Sequence, residues 1–564
     1  MTAWEKIGLR KRAERAAKIP HQWRLPDNVI PKSSDGRHSV LHVPRECGLL
    51  TDHELDITEN YDATALSVAI KERRLKCVDV TRAFCKRAAI AQQLTNCLTE
   101  ILFSEALVRA KALDAHLDEG KPPLSALHGI PISLKDSFKI PGVDASIGIA
   151  ALCFEASSKP SSLVEILLKA GAVLYCKTNV PQTLGALDSF NNVFGRTLNP
   201  HNAAVTAGGS TGGEGALIAL RGSVLGVGTD AGGSIRIPAM VNGIYGVKPS
   251  WQRIPYYGQE SGNLDGHVKV GMAASAGPLA VSFRDCELFL HTVVDLEPWL
   301  VDSDVIPGPW SSLIPLSSPK ITVGLIMTDG LITPHPPVTR TLREAASALT
   351  TSGIHVVELD VAPLFSKCQA LANRLMGVGG NNHMFDLLER TKEPLHPWLV
   401  SRMKRHPAIP TDKAVALHGA REAMQRAWLQ VWAGEQPGKP KIDVLLCPVA
   451  PHAPPEIDRW NATSYCSTFN MLDYPAGTIP VRIFEPEDVQ GELPTTQPIG
   501  SWDKANRALW NETDRSVYIG TPLCVQVVAP NLQERRLCEA MRIIDDAVRT
   551  KYGPLHKAKR PTKL

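Results

Sequence analysis

The sequence predicts an α/β fold, a large mixed β-sheet core flanked by helices, on three observations. Strand-like and helix-like segments alternate through residues 130–228. Apolar strand segments return at residues 444–447 and 523–528. No internal repeat, low-complexity tract or clean linker interrupts the pattern, so one large domain with an N-terminal arm is expected.

The elements follow in order. Thr2 and Glu5 fit a capping box that opens a basic helix running to about Ile19. It carries Lys6, Arg10, Lys11, Arg12, Arg15 and Lys18 against Glu5 and Glu14, and is expected on the surface, docked through Trp4 and Ile7. The apolar core of a secretory signal is missing, and the acidic residues count against a transit peptide. Residues 20–60 are rich in Pro, Asp and Ser and read as an extended arm. From 62 to 116 the pattern is helical, with Leu66, Ile70, Val78, Val80 and Phe84 near helical spacing.

Ile130, Ile132 and Leu134 then alternate in a short strand. Ser162 and Glu165 read as a capping box before a helix over 163–170, and Gly171 as its stop. Residues 172–176 read as strand, 212–220 as helix and 224–228 as strand. Residues 260–320 are less regular, and the polar stretch 485–514 reads as a surface insertion. A final helix from Asn531 sets Leu537, Met541, Ile544 and Val548 on one face. The expected division is a helical arm and extended segment over 1–60, the main domain over 61–555, and a basic tail over 556–564.

Composition bounds the function classes. Apolar residues at 44% and charged residues at 21% are ordinary for a folded protein and exclude a disordered chain. A net charge of +4 is too small for a protein built to coat nucleic acid, so no nucleic-acid partner is expected. No apolar run is long enough for a membrane span. The twelve cysteines are scattered, with no CxxC pair and no HExxH stretch. They read as apolar core thiols in a reducing, cytoplasmic compartment, with no disulfide framework, metal site or cofactor motif. The chain ends Thr562-Lys563-Leu564, one residue from the Ser-Lys-Leu peroxisomal address, although a basic tail is the preferred reading.

The informative stretch is the glycine- and serine-rich centre. Gly208-Gly209-Ser210-Thr211-Gly212-Gly213 and Gly232-Gly233-Ser234-Ile235-Arg236 form two tight clusters. Glycine lets another group approach the backbone closely, and successive free N–H groups make an anion-binding nest. A serine in each nest places a nucleophile beside donors for a developing oxyanion, which is what acyl transfer requires. Other readings compete. Gly208 to Gly212 matches the G-x-S-x-G elbow of α/β-hydrolases, with Ser210 as nucleophile of an esterase. Gly226-x-Gly228-x-x-Ala231 matches a relaxed dinucleotide fingerprint but lacks the acidic residue that should follow. Glycines that merely close tight turns are the bland alternative.

These residues resemble the amidase signature family, whose pattern is a GGSSGG stretch, a GxDxGGSIRxP stretch and a GxxGxKP close. Here they stand at Gly208 to Gly213, at Gly228 with Asp230, Gly232, Gly233, Ser234, Arg236 and Pro238, and at Gly243 with Gly246, Lys248 and Pro249. Lys135-Asp136 after His128, the block Cys176-Lys177-Thr178-Asn179, Phe469-Asn470 and Gln526 match further blocks, so the resemblance spans about residues 62–550. The opening segment and the run after Gly212 look most like fungal-type general amidases, the acetamidases.

The resemblance implies the amidase signature fold and hydrolysis of a carboxamide, with a small-molecule amide as partner, no cofactor, and a homodimer left open. Ser234 would be the nucleophile, Ser210 a bridging serine held by a cis peptide after Gly209, and Lys135 the general base. Backbone N–H groups around Ala231, Gly232, Gly233 and Ser234 would meet the oxyanion, with Ser210 also at the substrate. Asp230 and Arg236 would brace the loop, and Thr211 stands where the family more often has a second serine. A fatty-acid amide or ester hydrolase on the same site is the alternative, alongside a glutaminase subunit of a transamidation complex and a non-enzymatic binding module.

The physics of the residues fits those roles. Alternation puts Ser133 and Lys135 on the opposite strand face from Ile132 and Leu134. If both faces are covered, Lys135 is desolvated and its neutral form favoured. Moving a lysine from about 10.4 to near 7 costs roughly 4–5 kcal/mol, which a large core can bear. Lys177 reads as structural, and His128 as a loop residue packing near the site. Ala231 stands where many members carry a larger side chain and is expected to widen the acyl site. Specificity is expected in residues 255–270, 370–400 and 450–475.

Overall fold

Strands form where the chain alternates or runs apolar and where both resulting faces find cover. The computed structural model describes residues 1–30, 39–318, 320–434, 440–459, 461–553 and 555. The expected basic tail and the peroxisome-like ending lie outside the described residues, as does 31–38 of the arm. The strands are β1 Leu98–Ile101, β2 Pro131–Lys135, β3 Val173–Thr178, β4 Phe190–Asn191, β5 Gly195–Arg196, β6 Leu225–Asp230, β7 Tyr245–Lys248, β8 Ser275–Ala280, β9 Thr322–Leu325, β10 His355–Glu358, β11 Val444–Pro448, β12 Ala476–Ile483 and β13 Pro522–Val528. The first three and the last eight form one 11-stranded sheet, in the order β1-β3-β2-β6-β8-β7-β12-β13-β11-β9-β10, while β4 and β5 pair apart.

The sheet is mixed. β3, β2 and β6 run parallel at one end and β11, β9 and β10 at the other. Between them β6, β8, β7, β12, β13 and β11 alternate in direction. β2, β6 and β13 are buried along their whole length. Helices Cys77–Thr95, Phe103–Asp118 and Gly212–Ala219 pack near the β2–β3–β6 end, and Pro336–Thr351 and Glu534–Tyr552 on the antiparallel part. In the last of these Leu537, Met541, Ile544 and Val548 are buried, as their spacing implied.

Several elements differ from the sequence reading. The stretch read as helical from 62 to 116 contains β1, whose pairing to β3 overrides a weak local preference. The less regular stretch 260–320 contains β8 and the helix Phe283–Asp295. The extended arm contains helices Val43–Glu46 and Asp52–Asn60, the second opened by a Thr51–Glu54 capping box. The insertion 485–514 holds the helix Ser501–Asn511, anchored by buried Trp510. The helix Ser162–Lys169 has Ser161, not Ser162, at its cap and no side-chain cap bond; Ser162, read as the capping serine, is its first residue and its Oγ donates to the Val301 carbonyl.

The N-terminal helix Ala3–Ala17 has its capping box and docks through Trp4 and Ile7 against Ala150, Cys153, Val193 and Phe194. Lys6, Arg10 and Lys18 are exposed, but two of its cations are not solvated. Lys11 is buried between Glu100 and Asp144, and Arg15 bonds the Leu98 carbonyl and Asn96 Oδ1. All twelve cysteines are free, and all but Cys47 are buried. Among the described residues no helix is long and apolar enough to cross a membrane.

Candidate active site

β2 and β6 are parallel neighbours, with Ser133 opposite Gly226 and Leu134 opposite Val227. Lys135 and Thr229 therefore leave the sheet side by side at its carboxyl edge, where α/β sheets hold ligands. Both faces of β2 are covered, and Lys135 is only 1% exposed. Its Nζ lies 2.7 Å from Ser210 Oγ, 2.7 Å from Thr229 Oγ1 and 3.3 Å from the Thr229 carbonyl oxygen. Burial pushes the ammonium down to about 7, against the opposing charge of Asp230.

Ser210 follows a cis Gly209–Ser210 peptide and leads into the helix Gly212–Ala219. That helix packs tightly on the sheet because Gly226 has no side chain: a Cβ there would strike the Glu214 carboxyl group. Glu214 accepts from Ser133 Oγ and, at 2.7 Å, from Thr178 Oγ1. Burial pushes its carboxyl up to about 7 despite those donors.

The loop after β6 carries Ser234 into the helix Arg236–Asn242. Asp230 organises it. Its carboxylate accepts from the N–H of Gly233 at 2.7 Å and of Ile235 at 3.1 Å, and takes two bonds from the Arg236 guanidinium. Arg236 also reaches Gln526 Oε1 at 2.7 Å, Asn470 Oδ1 at 2.5 Å and the Cys466 carbonyl. Burial alone would raise the Asp230 carboxyl, but Arg236, Lys248 and Asn470 hold it well below the usual carboxylate range.

Ser210, Thr229, Ala231 and Ser234 line one cavity of about 490 Å³. The brace expected of Asp230 and Arg236 is present. The structure differs at Gly233, whose N–H is committed to Asp230 rather than turned to the cavity. Among the described residues, the N–H groups of Ala231, Gly232 and Ser234 and the Ser234 hydroxyl have no hydrogen-bond partner. Gly232 is open, with nothing nearer than Met376 to where a Cβ would stand. Thr211 Oγ1 reaches only the Thr229 carbonyl, at 3.5 Å. Lys177 is buried against the Asp144 carbonyl and Asp136, away from the cavity lining. His128 bonds Leu124 and Leu113, and is likewise absent from the lining.

The family model described as Amidase matches residues 79–538. The chain belongs to the amidase signature family. Acetamidases of Aspergillus oryzae and Emericella nidulans are each 35% identical to this amidase, over 95% of its length and 97% and 96% of theirs. A solved fatty acid amide hydrolase superposes with a TM-score of 0.87 at 29% identity, covering 96% of this chain and 95% of the other. The protein is an amide-hydrolysing enzyme. The surroundings of Ser210 differ from an α/β-hydrolase elbow: its side-chain partner is Lys135, and among the described residues no named strand leads into its turn.

Sequence reasoning missed some of the residues that complete the amidase site. Thr229, beside Asp230, and Tyr256, within 255–270, carry no local signal in the sequence. Asn470 and Gln526 were noticed as parts of matching blocks, but not as partners of Arg236. A lone amide within the apolar run 523–528 was the available signal, because a buried polar side chain needs a partner.

Proposed function

We propose that this amidase cleaves the C–N bond of a carboxamide through a Ser234–Ser210–Lys135 relay and an acyl-enzyme. The supporting observation is the 2.7 Å contact from Lys135 Nζ to Ser210 Oγ, beside a cavity that also holds Ser234. Neutral Lys135 takes the Ser210 proton as Ser210 takes that of Ser234. Ser234 Oγ bonds to the amide carbon, and the carbonyl electron pair moves onto oxygen. The N–H groups of Ala231, Gly232 and Ser234 meet that oxyanion. Collapse breaks the C–N bond, and the proton returns through Ser210 to the leaving nitrogen. Ammonia or an amine departs, and Ser234 holds the acyl group as an ester. Water then gives up its proton along the same route, attacks the ester carbon and releases the carboxylate.

The cavity favours an acyl group larger than acetyl. Its size is that of a site enclosing a drug-sized ligand, and Leu184, Met272, Met376, Met384, Leu399 and Met403 line it. Thioether side chains adapt to irregular apolar shapes. Ala231 stands on the same wall, where its small side chain leaves the acyl path wide.

The test is labelling with a small fluorophosphonate and peptide mapping, with ammonia release from acetamide, butyramide, hexanamide and benzamide. An adduct on Ser234 that vanishes in Lys135→Ala, with hexanamide cut faster than acetamide, is expected. An adduct on Ser210, or full turnover by Ser234→Ala, would sink the reading.

A further inference from the structure

The cavity that holds Ser210, Ala231 and Ser234 also carries a cation without a counter-ion. Arg402 lines it beside Leu399 and Met403. Among the described residues the Arg402 side chain makes neither an ion pair nor a hydrogen bond. Its guanidinium carbon instead lies 3.4 Å from the centre of the Trp398 ring. Arg405, on the same segment, is placed differently: it pairs with Asp386 and Glu389 at 2.9 and 3.0 Å.

The setting holds Arg402 ready for a ligand. Trp398 and Leu399 come from the short helix Pro397–Val400, and the Arg402 N–H donates to the Leu399 carbonyl. A guanidinium that close to a ring lies over its face, which leaves its in-plane N–H donors for another partner. Partial burial pushes the group below its ordinary value, with no carboxylate to oppose the shift. It stays charged all the same, because a guanidinium does not give up its proton near neutral pH. The other ionisable side chains of the lining do not neutralise it. Asp265 is exposed and does not pair with it, and burial lowers the His267 imidazolium. Asp230, behind the Ser234 loop, is locked on Arg236.

We propose that Arg402 is a specificity residue that receives a carboxylate carried by the amide substrate. An apolar spacer, lying along Leu399, Met403 and Met384, separates that carboxylate from the scissile carbonyl. A guanidinium takes a carboxylate through two parallel N–H bonds, which restores the pairing that Arg402 lacks. The substrate class is then an amide that is anionic at its far end, either the monoamide of a dicarboxylic acid or an N-acyl amino acid. The inference rests on the Ser234 chemistry proposed above.

The experiment measures kcat/KM of wild type, Arg402→Leu, Arg402→Gln and Ser234→Ala on two pairs of amides. The monoamide of adipic acid against hexanamide places the carboxylate on the acyl group. N-hexanoylglycine against N-propylhexanamide places it on the leaving amine. Wild type is expected to favour the anionic member of one pair by about tenfold, and that pair tells which side bears the charge. Both Arg402 variants are expected to lose about thirtyfold on that anionic amide, mostly as a raised KM, while its neutral counterpart changes less than about twofold. Should one variant not fold, the other carries the test. Wild type with no preference for either anionic amide overturns the proposal. So does a preference that survives in the variants, or a loss that is equal on charged and neutral amides. In all three cases hexanamide turnover that still needs Ser234 leaves the relay standing. Hexanamide turnover by Ser234→Ala overturns the relay and this inference together.

Discussion

Lys11 of the N-terminal helix lies 2.7 Å from Glu100 and 2.8 Å from Asp144, and all three side chains are about 4–5% exposed. Burial works against the ammonium, yet the two carboxylates hold it charged, above its ordinary value. Asp144 also passes its carbonyl oxygen to Lys177, which stands near Asp136. A helix that looks peripheral in sequence therefore closes a charge cluster ending one residue from Lys135.

Lys11→Met is expected to destabilise the fold by about 3–5 kcal/mol, since it strands buried carboxylates. Urea unfolding of the variant and of Lys11→Arg, expected to lose less, checks this. A methionine variant as stable as wild type would mean that water reaches the cluster.

Activity should rise with pH through about 7. In the relay proposed above Lys135 acts as a base only when neutral, and burial brings its ammonium to about 7. Below that pH the proton blocks the relay, so kcat/KM gains an acid limb there. The profile of kcat/KM from about pH 5 to about pH 9 tests it, and a flat line across that range contradicts the role of Lys135.

Glu214 ties stability to pH in the other direction. Its folded-state carboxyl is raised to about 7 from an ordinary 4.5. The native state thus holds this proton more tightly than the unfolded chain. Its contribution is complete below about 4.5 and is lost as pH rises through about 7, a swing of roughly 3 kcal/mol. Glu214→Gln should remove that component, so the wild-type-minus-variant stability should fall as pH climbs across the window. A constant difference in denaturation free energy would count against a protonated Glu214.

Ala231→Leu should narrow the acyl path. The variant is expected to lose about tenfold in kcat/KM for hexanamide while acetamide changes little, since lost accommodation of even one methylene is worth about 1–3 kcal/mol. Equal losses on both amides would mean that the Ala231 side chain does not face the acyl path.

Much of the fold was legible in sequence because several segments carried strong local signals. β2, β3, β6 and β13 lie where alternation or apolar runs placed them. β1 and β8 escaped because their strand character comes from neighbours β3, β6 and β7, which are remote in sequence. At the site, the motif residues Lys135, Ser210 and Ser234 stand at one cavity or directly against it. What composition could not convey was commitment: the Gly233 N–H already belongs to Asp230, and Lys11 and Arg15 of the first helix to buried acceptors. Donors and charges announce themselves in a sequence, but the partners that occupy them are set by packing.

The Arg236 guanidinium spans nearly the whole second half of the chain, from Asp230 through Cys466 and Asn470 to Gln526. During synthesis these partners emerge one after another, and the last belongs to the final strand of the sheet. A chain stopped short of β13 has both serines and the lysine, but the loop that carries Ser234 lacks the final tether. The loop's full set of tethers is therefore complete only once β13 has joined the sheet.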